Sequence, residues 1–274
     1  MPALLASIPS PSSPEIGPFR VYGLLLAIAT VVGVVVAEHR WRRRGLPHDT
    51  IYDLAFWMVV WGVIGARLYH VATDYQRFTG DPARAFAIWN GGLSIWGAVL
   101  GGAIAVTVMT RRHHLPTLAV MDCLGPAIAL AQAIGRWGNY FNQELFGKPT
   151  TLPWGLEISP VHRPLGYERF ATFHPMFLYE SLYCLALFSA LLFVERRLRL
   201  REGQTFASYV AGYTFGRFWF ENLRIDPAHQ VVGLRVNAWV ALLCFVGSLA
   251  WMVHLGRSRQ SSRVGRPPPQ EPSA

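Results

Sequence analysis

The stretch "VMDCLGPAIALAQAIGRWGNYFNQELFG" (residues 120–147) joins an apolar segment to a dense group of polar side chains. The apolar segment, 118–134, approaches the roughly 20 residues that a membrane-spanning helix requires. Arg136, Asn139 and Glu144 follow it closely. Charged and amide groups are costly at membrane depth and usually face a cavity or a partner. The stretch therefore predicts a membrane helix that ends in a binding site.

The composition is typical of a membrane protein. Hydrophobic residues make up 52% of the 274 residues and charged residues only 15%, whereas soluble domains are about one quarter charged. The net charge is +9, and Lys148 is the single lysine among the 25 basic residues. The arginines lie between apolar runs, so we interpret them as loop charges that set topology and expect no nucleic acid partner. The three cysteines lie in apolar runs, which indicates neither a disulfide framework nor a metal site.

The hydrophobic pattern predicts an all-α, polytopic membrane protein with about seven transmembrane helices. Several of the apolar segments are short or contain glycine, so their ends are the least certain part of this prediction. The predicted spans are 21–37, 52–71, 93–109, 118–134, 175–194, 206–220 and 237–255.

Arginine-rich loops follow every second span. They read "EHRWRRRG", "RRHH", "ERRLRLRE" and "GRSRQSSRVGR". Basic loops mark the cytoplasmic side, so the amino terminus is expected outside and the carboxyl terminus inside. The expected layout is an extracytoplasmic segment 1–18, a seven-span transmembrane domain 19–256 and a disordered basic, proline-rich tail 257–274. Within the domain, 143–173 is expected to form a small extracytoplasmic cap, and no cleaved signal peptide is expected at the amino terminus.

Four arginines contradict this topology rule. Arg67, Arg136, Arg217 and Arg224 fall near the outer ends of the second, fourth and sixth spans. Topology does not explain them, and a bound anion at the outer leaflet does. For Arg67 alone, an alternative is that its side chain simply extends to the membrane interface.

The sixth span carries a stripe of polar residues. In "YTFGRFWFENLR" (213–224), Tyr213, Arg217, Glu221 and Arg224 are spaced to share one helix face. A glutamate between two arginines fits a self-satisfied ion-pair stripe. It also fits an anion site, because two arginines and one carboxylate leave positive charge in excess and guanidinium groups suit phosphate.

The polar end of the fourth span has two interpretations. If the helix continues past Gly135, then Arg136, Asn139 and Tyr140 share a face, with Glu144 one turn beyond Tyr140. This arrangement favours a site built around Arg136. The alternative is a polar helix end that merely leaves the membrane.

Three further features each have a structural and a functional interpretation. His174, before Pro175, is either a catalytic base or a locally hydrogen-bonded residue at a helix start. Tyr22 is either an interfacial aromatic anchor or part of the mouth of the site. Gly97 and Gly101 form a small-xxx-small face that favours close helix packing.

Together these motifs resemble the prolipoprotein diacylglyceryl transferase family. "GRWGNYFNQELFG" (135–147) is similar to the family pattern Gly-Arg-x-Gly/Ala-Asn-Phe-x-Asn-x-Glu-x-x-Gly, with Tyr140 in place of the usual Phe. "HPMFLYE", "YTFGRFWFENLR" and "VYGL" are similar to its other elements. The resemblance covers roughly residues 19–255.

The resemblance implies a multi-pass enzyme of the bacterial inner membrane with its active site toward the outer leaflet of the bilayer. It would transfer the diacylglyceryl group of phosphatidylglycerol to the lipobox cysteine of a preprolipoprotein, forming a thioether and releasing glycerol-1-phosphate. Arg136 would be the primary lipid contact. The implied catalytic residues are Tyr22, Arg136, Glu144, His174, Arg217 and Glu221, and the implied substrate-binding residues are Arg136, Asn139, Asn142, Gly147, Tyr213 and Arg224.

The identity of the thiol base stays open. Many members have a histidine in a "Ser-Phe-His-Gly-Gly" segment, where this chain has "LSIWGA" with Trp96 at that position. Glu144, Glu221 and, more weakly, His174 are the alternatives. No metal or other cofactor is expected, because guanidinium groups can meet the charge of the leaving phosphate.

Three rival classes remain open from the sequence. A transporter for an anionic lipid or osmolyte would also need buried arginines, but no inverted repeat is evident. A channel would need polar stripes along whole spans, whereas here the polar groups lie toward one side. A membrane scaffold would not require so many polar groups in residues 135–147.

Overall fold

The computed structural model describes residues 7–87 and 91–257, and each predicted span corresponds to one helix in that part of the chain. Helices α1 and α4 extend furthest beyond their predicted ends. The segment 1–6 and the predicted tail beyond Arg257 lie outside the described residues. The helices are α1 (Val21–Arg43), α2 (Thr50–Thr73), α3 (Ile95–Arg112), α4 (Thr117–Phe141), α5 (Met176–Arg197), α6 (Gln204–Leu223) and α7 (Val236–Arg257).

Five of these helices, α1, α2, α4, α5 and α7, are long and apolar enough to cross a membrane. Helix α6 contains Arg217 and Glu221, and α3 ends in two arginines, so neither reaches the same apolar character. The fold is therefore essentially all-helical and that of a polytopic membrane protein. The strands are short antiparallel pairs in the connections, β1 (Glu15–Ile16) with β2 (Phe19–Arg20), β3 (Leu156–Glu157) with β4 (Thr172–Phe173), and β5 (Gln230–Val231) with β6 (Leu234–Arg235).

The chain divides into two compact units. The first contains Met1–Gly33 and Leu124–Ala274, and the second contains Val34–Cys123. Helices α1 and α4 each contribute one part to each unit.

In the second unit, glycines let α2 and α3 approach closely. A methyl group on Gly101 would collide with the carbonyl of Trp61, and one on Gly97 would collide with the carbonyl of Gly65. Backbones this close require small residues on both helices. The predicted small-residue face of α3 is thus confirmed as a packing surface, and Gly65 of α2 is its counterpart.

Arg67 in α2 stabilises the connection between α2 and α3. The sequence suggested either a bound anion or a side chain that extends to the interface. In the structure, the guanidinium group of Arg67 hydrogen-bonds to a series of backbone carbonyls in this connection. It donates hydrogen bonds to the backbone oxygens of Arg84, Ala85, Ala87, Gly91 and Gly92 at 2.5–3.4 Å.

In the first unit, α4, α5 and α6 share a buried core, and the segment 142–175 covers the end where α4 finishes and α5 begins. Ala129, Leu191 and Tyr209 pack together between the three helices. The covering segment, which we call the cap, packs around an apolar core that it shares with Phe177 of α5. That core consists of Phe146, Leu156, Ile158, Phe173 and Phe177, with Ile8 of the amino-terminal segment packed against it.

The α2–α3 contact can be tested with two neighbouring glycines of α3. We expect Gly101→Ala to destabilise the protein by about 1–3 kcal/mol, because its methyl group would overpack the contact with Trp61. A methyl group on Gly102 meets no atom within 4 Å. Gly102→Ala should therefore be neutral or slightly stabilising, and thermal unfolding in detergent distinguishes the two variants. Equal melting temperatures would contradict the close contact.

Candidate functional site

Three helices of the first unit bring charged side chains together at the capped end. Helix α4 continues past Gly135 to Phe141, so Arg136 lies in its last turns, as the helical interpretation of that stretch predicts. Glu180 lies in the second turn of α5, and Arg217 lies toward the end of α6. Each helix thus contributes one charge to a shared cluster.

Glu180 bridges the two arginines. Its Oε2 lies 2.7 Å from Arg136 Nε, and its Oε1 lies 3.8 Å from Arg217 Nη1. The carboxylate side chain is 5% exposed, whereas the arginine side chains are 17% and 19% exposed. The negative charge is therefore buried, and the two arginine side chains are mostly buried as well.

Ion pairs continue from Arg217 along the end of α6. Arg217 Nη2 lies 2.6 Å from Glu221 Oε2, and Glu221 Oε1 lies 2.9 Å from Arg235 Nε. Asn237 Nδ2 also donates a hydrogen bond to Glu221 Oε1, at 3.2 Å. Glu221 is fully buried, and a buried carboxylate requires such compensation by cations and donors.

Arg224, the last residue of the predicted polar stripe on α6, does not lie on the helix. The helix ends at Leu223, and Arg224 has an extended backbone, with φ −75° and ψ 149°. Its Nε lies 2.7 Å from Asp226 Oδ1, and Asp226 Oδ2 lies 2.8 Å from Arg235 Nη2. Arg224 therefore joins the far end of the ion-pair chain rather than the face with Arg217. In this series of ion pairs, from Arg136 to Arg224, four arginines alternate with three carboxylates. The series therefore has one excess positive charge.

A small cavity of about 10 Å³ lies beside Glu180 and Arg217. Arg136 Nη2 donates a hydrogen bond to the Tyr213 hydroxyl, at 3.3 Å. Arg217 Nη1 is buried without a hydrogen bond in the described part of the chain. A cavity of this size holds about one water molecule, so a larger anion would not fit into it. The cavity is lined by Glu180, Tyr183, Cys184, Tyr213, Arg217 and Phe220.

The residues just beyond Arg136 form a second polar group. Glu144 Oε1 accepts hydrogen bonds from Asn139 Nδ2 at 3.0 Å and from Asn142 Nδ2 at 3.1 Å. The Glu144 backbone N–H donates to the Asn139 carbonyl, which fixes the turn that ends α4. Glu144 is thus held by amides and not by an arginine; Glu180 pairs with the arginines instead.

Tyr22 packs against the same part of α4. A methyl group on Gly138 would collide with the Tyr22 ring, so the ring lies directly on the helix backbone. The structure therefore places Tyr22 against the last turns of α4, at a glycine two residues beyond Arg136.

His174 and Gly147 belong to the cap. His174 Nδ1 lies 3.3 Å from the Tyr179 hydroxyl, which also accepts a hydrogen bond from Trp154 Nε1 at 2.8 Å. The local hydrogen bond expected at this helix start is thus present. Gly147 donates its backbone N–H to the His174 carbonyl, and a side chain there would press against Met176 and the Leu223 carbonyl. Gly147 therefore holds the cap closely against the ends of α5 and α6.

Three members of the ion-pair chain were not assigned to the site from the sequence. Glu180, Asp226 and Arg235 were not among the predicted site residues, although a carboxylate inside an apolar span is a costly feature that signals Glu180. Trp96 lies in the first turn of α3 in the second unit. Within residues 7–87 and 91–257, no three His, Cys, Asp or Glu side chains are grouped to hold a metal ion.

The fold and the site together define a polytopic membrane protein with paired arginines at one end of its helices, an arrangement suited to an anionic ligand. The family model described as prolipoprotein diacylglyceryl transferase matches residues 11–254. The chain therefore belongs to this family.

Named relatives agree over most of the chain. The phosphatidylglycerol–prolipoprotein diacylglyceryl transferase 2 of Streptomyces coelicolor is 47% identical over 91% of this chain and 81% of its own length. The phosphatidylglycerol–prolipoprotein diacylglyceryl transferase of Cutibacterium acnes is 47% identical over 93% of this chain and 89% of its own length. The protein of that name from Streptomyces griseus is 48% identical over 91% and 78%.

The contact between Tyr22 and α4 can be tested with a pair of glycine variants. We expect Gly138→Ala to displace the Tyr22 ring and to cost about 1–3 kcal/mol of stability. A methyl group on Gly135 would meet only Leu26 Cδ2, at an ordinary 3.7 Å. Gly135→Ala is therefore the matched control and should melt at or above the wild-type temperature. A Gly138→Ala protein as stable as Gly135→Ala would refute the contact.

Proposed function

We propose that the protein is a phosphatidylglycerol–prolipoprotein diacylglyceryl transferase and that Arg136 and Arg217 bind the lipid phosphate. The observation that carries this proposal is the meeting of two guanidinium groups on Glu180 at the polar end of apolar helices. The family and the named relatives supply the reaction.

Phosphate suits this arrangement for two reasons. Guanidinium groups donate hydrogen bonds in a planar fork that matches phosphate oxygens. Arg217 Nη1 is buried and has no hydrogen bond of its own in the described residues, so its donor capacity is not yet used. The carboxylate of Glu180, which the two arginines share, is more deeply buried than either of them.

The reaction proposed is a displacement at carbon. The lipobox cysteine of the preprolipoprotein loses its proton, and its thiolate attacks the glyceryl carbon that bears the phosphate. A carbon–sulfur bond forms as the carbon–oxygen bond breaks, and the electron pair leaves on the phosphate oxygen. The products are a thioether that retains both acyl chains and glycerol-1-phosphate, and the thiol proton passes to a base.

Positive charge serves both halves of this step. The arginines neutralise charge that develops on the leaving phosphate, and they do so from positions fixed before the reaction. The same potential favours the thiolate form of an approaching cysteine. Glu180 and Glu221 limit the cost of holding these cations at membrane depth.

Glu144 is the carboxylate best placed to accept the thiol proton. Glu221 is fully buried, and its two oxygens already contact Arg217 and Arg235, so it offers no accessible oxygen to a thiol. His174 is engaged with Tyr179. Glu144 is exposed and contacts only the amides of Asn139 and Asn142 through its side chain in the described structure.

The proposed setting is the bacterial inner membrane, crossed seven times. The basic loops support a cytoplasmic carboxyl terminus, and the cap then lies on the outer side, where a preprolipoprotein presents its lipobox. Tyr22, Asn139 and Asn142 would orient the lipid headgroup, while the acyl chains remain among the helices in the bilayer.

The reaction is tested by incubating the purified protein with phosphatidylglycerol and a lipobox peptide. Mass spectrometry should show that the peptide gains one diacylglyceryl group. A protein that binds the lipid without modifying the peptide would be a carrier or a lipid binder, and the transferase assignment would fail.

The central residue is tested with Arg136→Ala. We expect thioether formation to fall by at least about 100-fold, because the leaving group loses a placed cation, while the protein still inserts into the membrane. Arg169→Ala is the charge-matched control, since Arg169 is an exposed cap residue stacked on Phe170, and it should keep wild-type activity. Normal transfer by purified Arg136→Ala would overturn the site.

A further inference from the structure

A larger polar cavity lies next to the ion-pair chain, between the cap and the segment that joins α6 to α7. Its volume is about 300 Å³, at the lower end of the range for small-molecule sites. It is separate from the small cavity beside Glu180, with which it shares no lining residue. We call it the lysine pocket, and its polar lining includes Lys148, Asn222, Arg224, Asp226, Gln230 and Arg235.

The lysine pocket carries more positive than negative charge. Its one carboxylate, Asp226, is paired with both Arg224 and Arg235. Burial opposes ionisation of Asp226, but the hydrogen bonds and charges of these two arginines outweigh it and hold the pKa of Asp226 below its usual value. Lys148 has no ion-pair partner among the described residues. The pocket therefore has two pairing arginines, one acid they already neutralise, and one uncommitted ammonium group.

The pocket is also connected to the proposed reaction site. Glu221 contacts Arg217 with one oxygen and Arg235 with the other, so a single carboxylate separates the two sites. The leaving group of the proposed reaction is a small, water-soluble phosphate monoester. It must move from the arginines of the reaction site to water, whereas the thioether product stays anchored by its acyl chains.

We propose that the lysine pocket binds a glycerol phosphate group, with Lys148 as a direct phosphate contact. The group has two candidate sources, the released glycerol-1-phosphate and the headgroup of a second phosphatidylglycerol molecule. The proposal rests on the proposed function for its ligand; Arg224, a predicted substrate-binding residue, also lines the pocket, but Lys148 was not among the predicted site residues. Lys148 is outside the catalytic cluster, and its exposed side chain makes Lys148→Gln a variant that should fold.

The test is equilibrium dialysis of the purified full-length protein in detergent with radiolabelled sn-glycerol-1-phosphate. Lys148→Gln should weaken binding roughly three- to fivefold, the effect of removing one accessible charge contact, and Lys148→Arg should restore it. Arg20→Gln is the matched control, because Arg20 is an 82% exposed cation of the same unit outside the pocket. It should bind like the wild type.

A second arm identifies the source of the phosphate group. The rate of peptide modification is measured against phosphatidylglycerol concentration in mixed micelles. An unchanged KM for the lipid in Lys148→Gln, together with weaker glycerol-1-phosphate binding, assigns the pocket to the released product. A three- to fivefold higher KM together with weaker binding assigns it to a second lipid headgroup.

The lysine pocket is refuted if Lys148→Gln leaves glycerol-1-phosphate binding unchanged, whatever its KM for the lipid, or if Arg20→Gln weakens binding equally. Dialysis measures binding without turnover, so its result is independent of whether the protein is a transferase. The pocket and the proposed function can therefore be refuted separately. A wild-type protein that leaves the lipobox peptide unmodified counts against the proposed function, whereas unaltered dialysis with Lys148→Gln counts against the pocket.

Discussion

The carboxylate of Glu180 holds two guanidinium groups from two other helices, and the capped end of the first unit depends on this bridge. Arg136 and Arg217 lie at the ends of otherwise apolar helices, where an uncompensated charge would be strongly destabilising. Because Glu180 has one oxygen for each arginine, a single buried residue joins α4, α5 and α6. The same bridge fixes the spacing of the two cations that face the proposed ligand.

The carboxylates of the ion-pair chain do not neutralise all of its arginines, and the remaining positive charge suits an anion-binding site. Glu221 and Asp226 extend the alternation to Arg235 and Arg224, yet one positive charge remains in excess along the chain of ion pairs. A fully neutral network would stabilise the fold without attracting an anion. A fully cationic cluster would be too costly to bury. With one excess positive charge, the arginines can be buried and can still attract a phosphate.

Much of the fold could be predicted from the sequence, because apolar length and helical period are local properties. Each predicted span corresponds to one helix, and the glycine face of α3 packs as its spacing indicated. Which charges form ion pairs was harder to predict from the sequence, because it depends on which helix ends meet in the fold. Glu180 was not predicted as the bridge, and Arg67, which resembled an anion ligand in the sequence, binds backbone carbonyls instead. The placement of Arg224 likewise depends on where α6 ends, a boundary that sequence patterns predict poorly.

The most direct measurement is a double-mutant cycle on phosphatidylglycerol binding with Arg136→Lys, Arg217→Lys and the combined variant. If both guanidinium groups bind one phosphate and share Glu180, replacing one arginine changes how much the other contributes to the binding free energy. The combined variant should then bind more tightly than the product of the two single effects predicts, with a coupling energy of about 1 kcal/mol or more. Strictly multiplicative effects on the dissociation constant would show two independent sites and contradict the account.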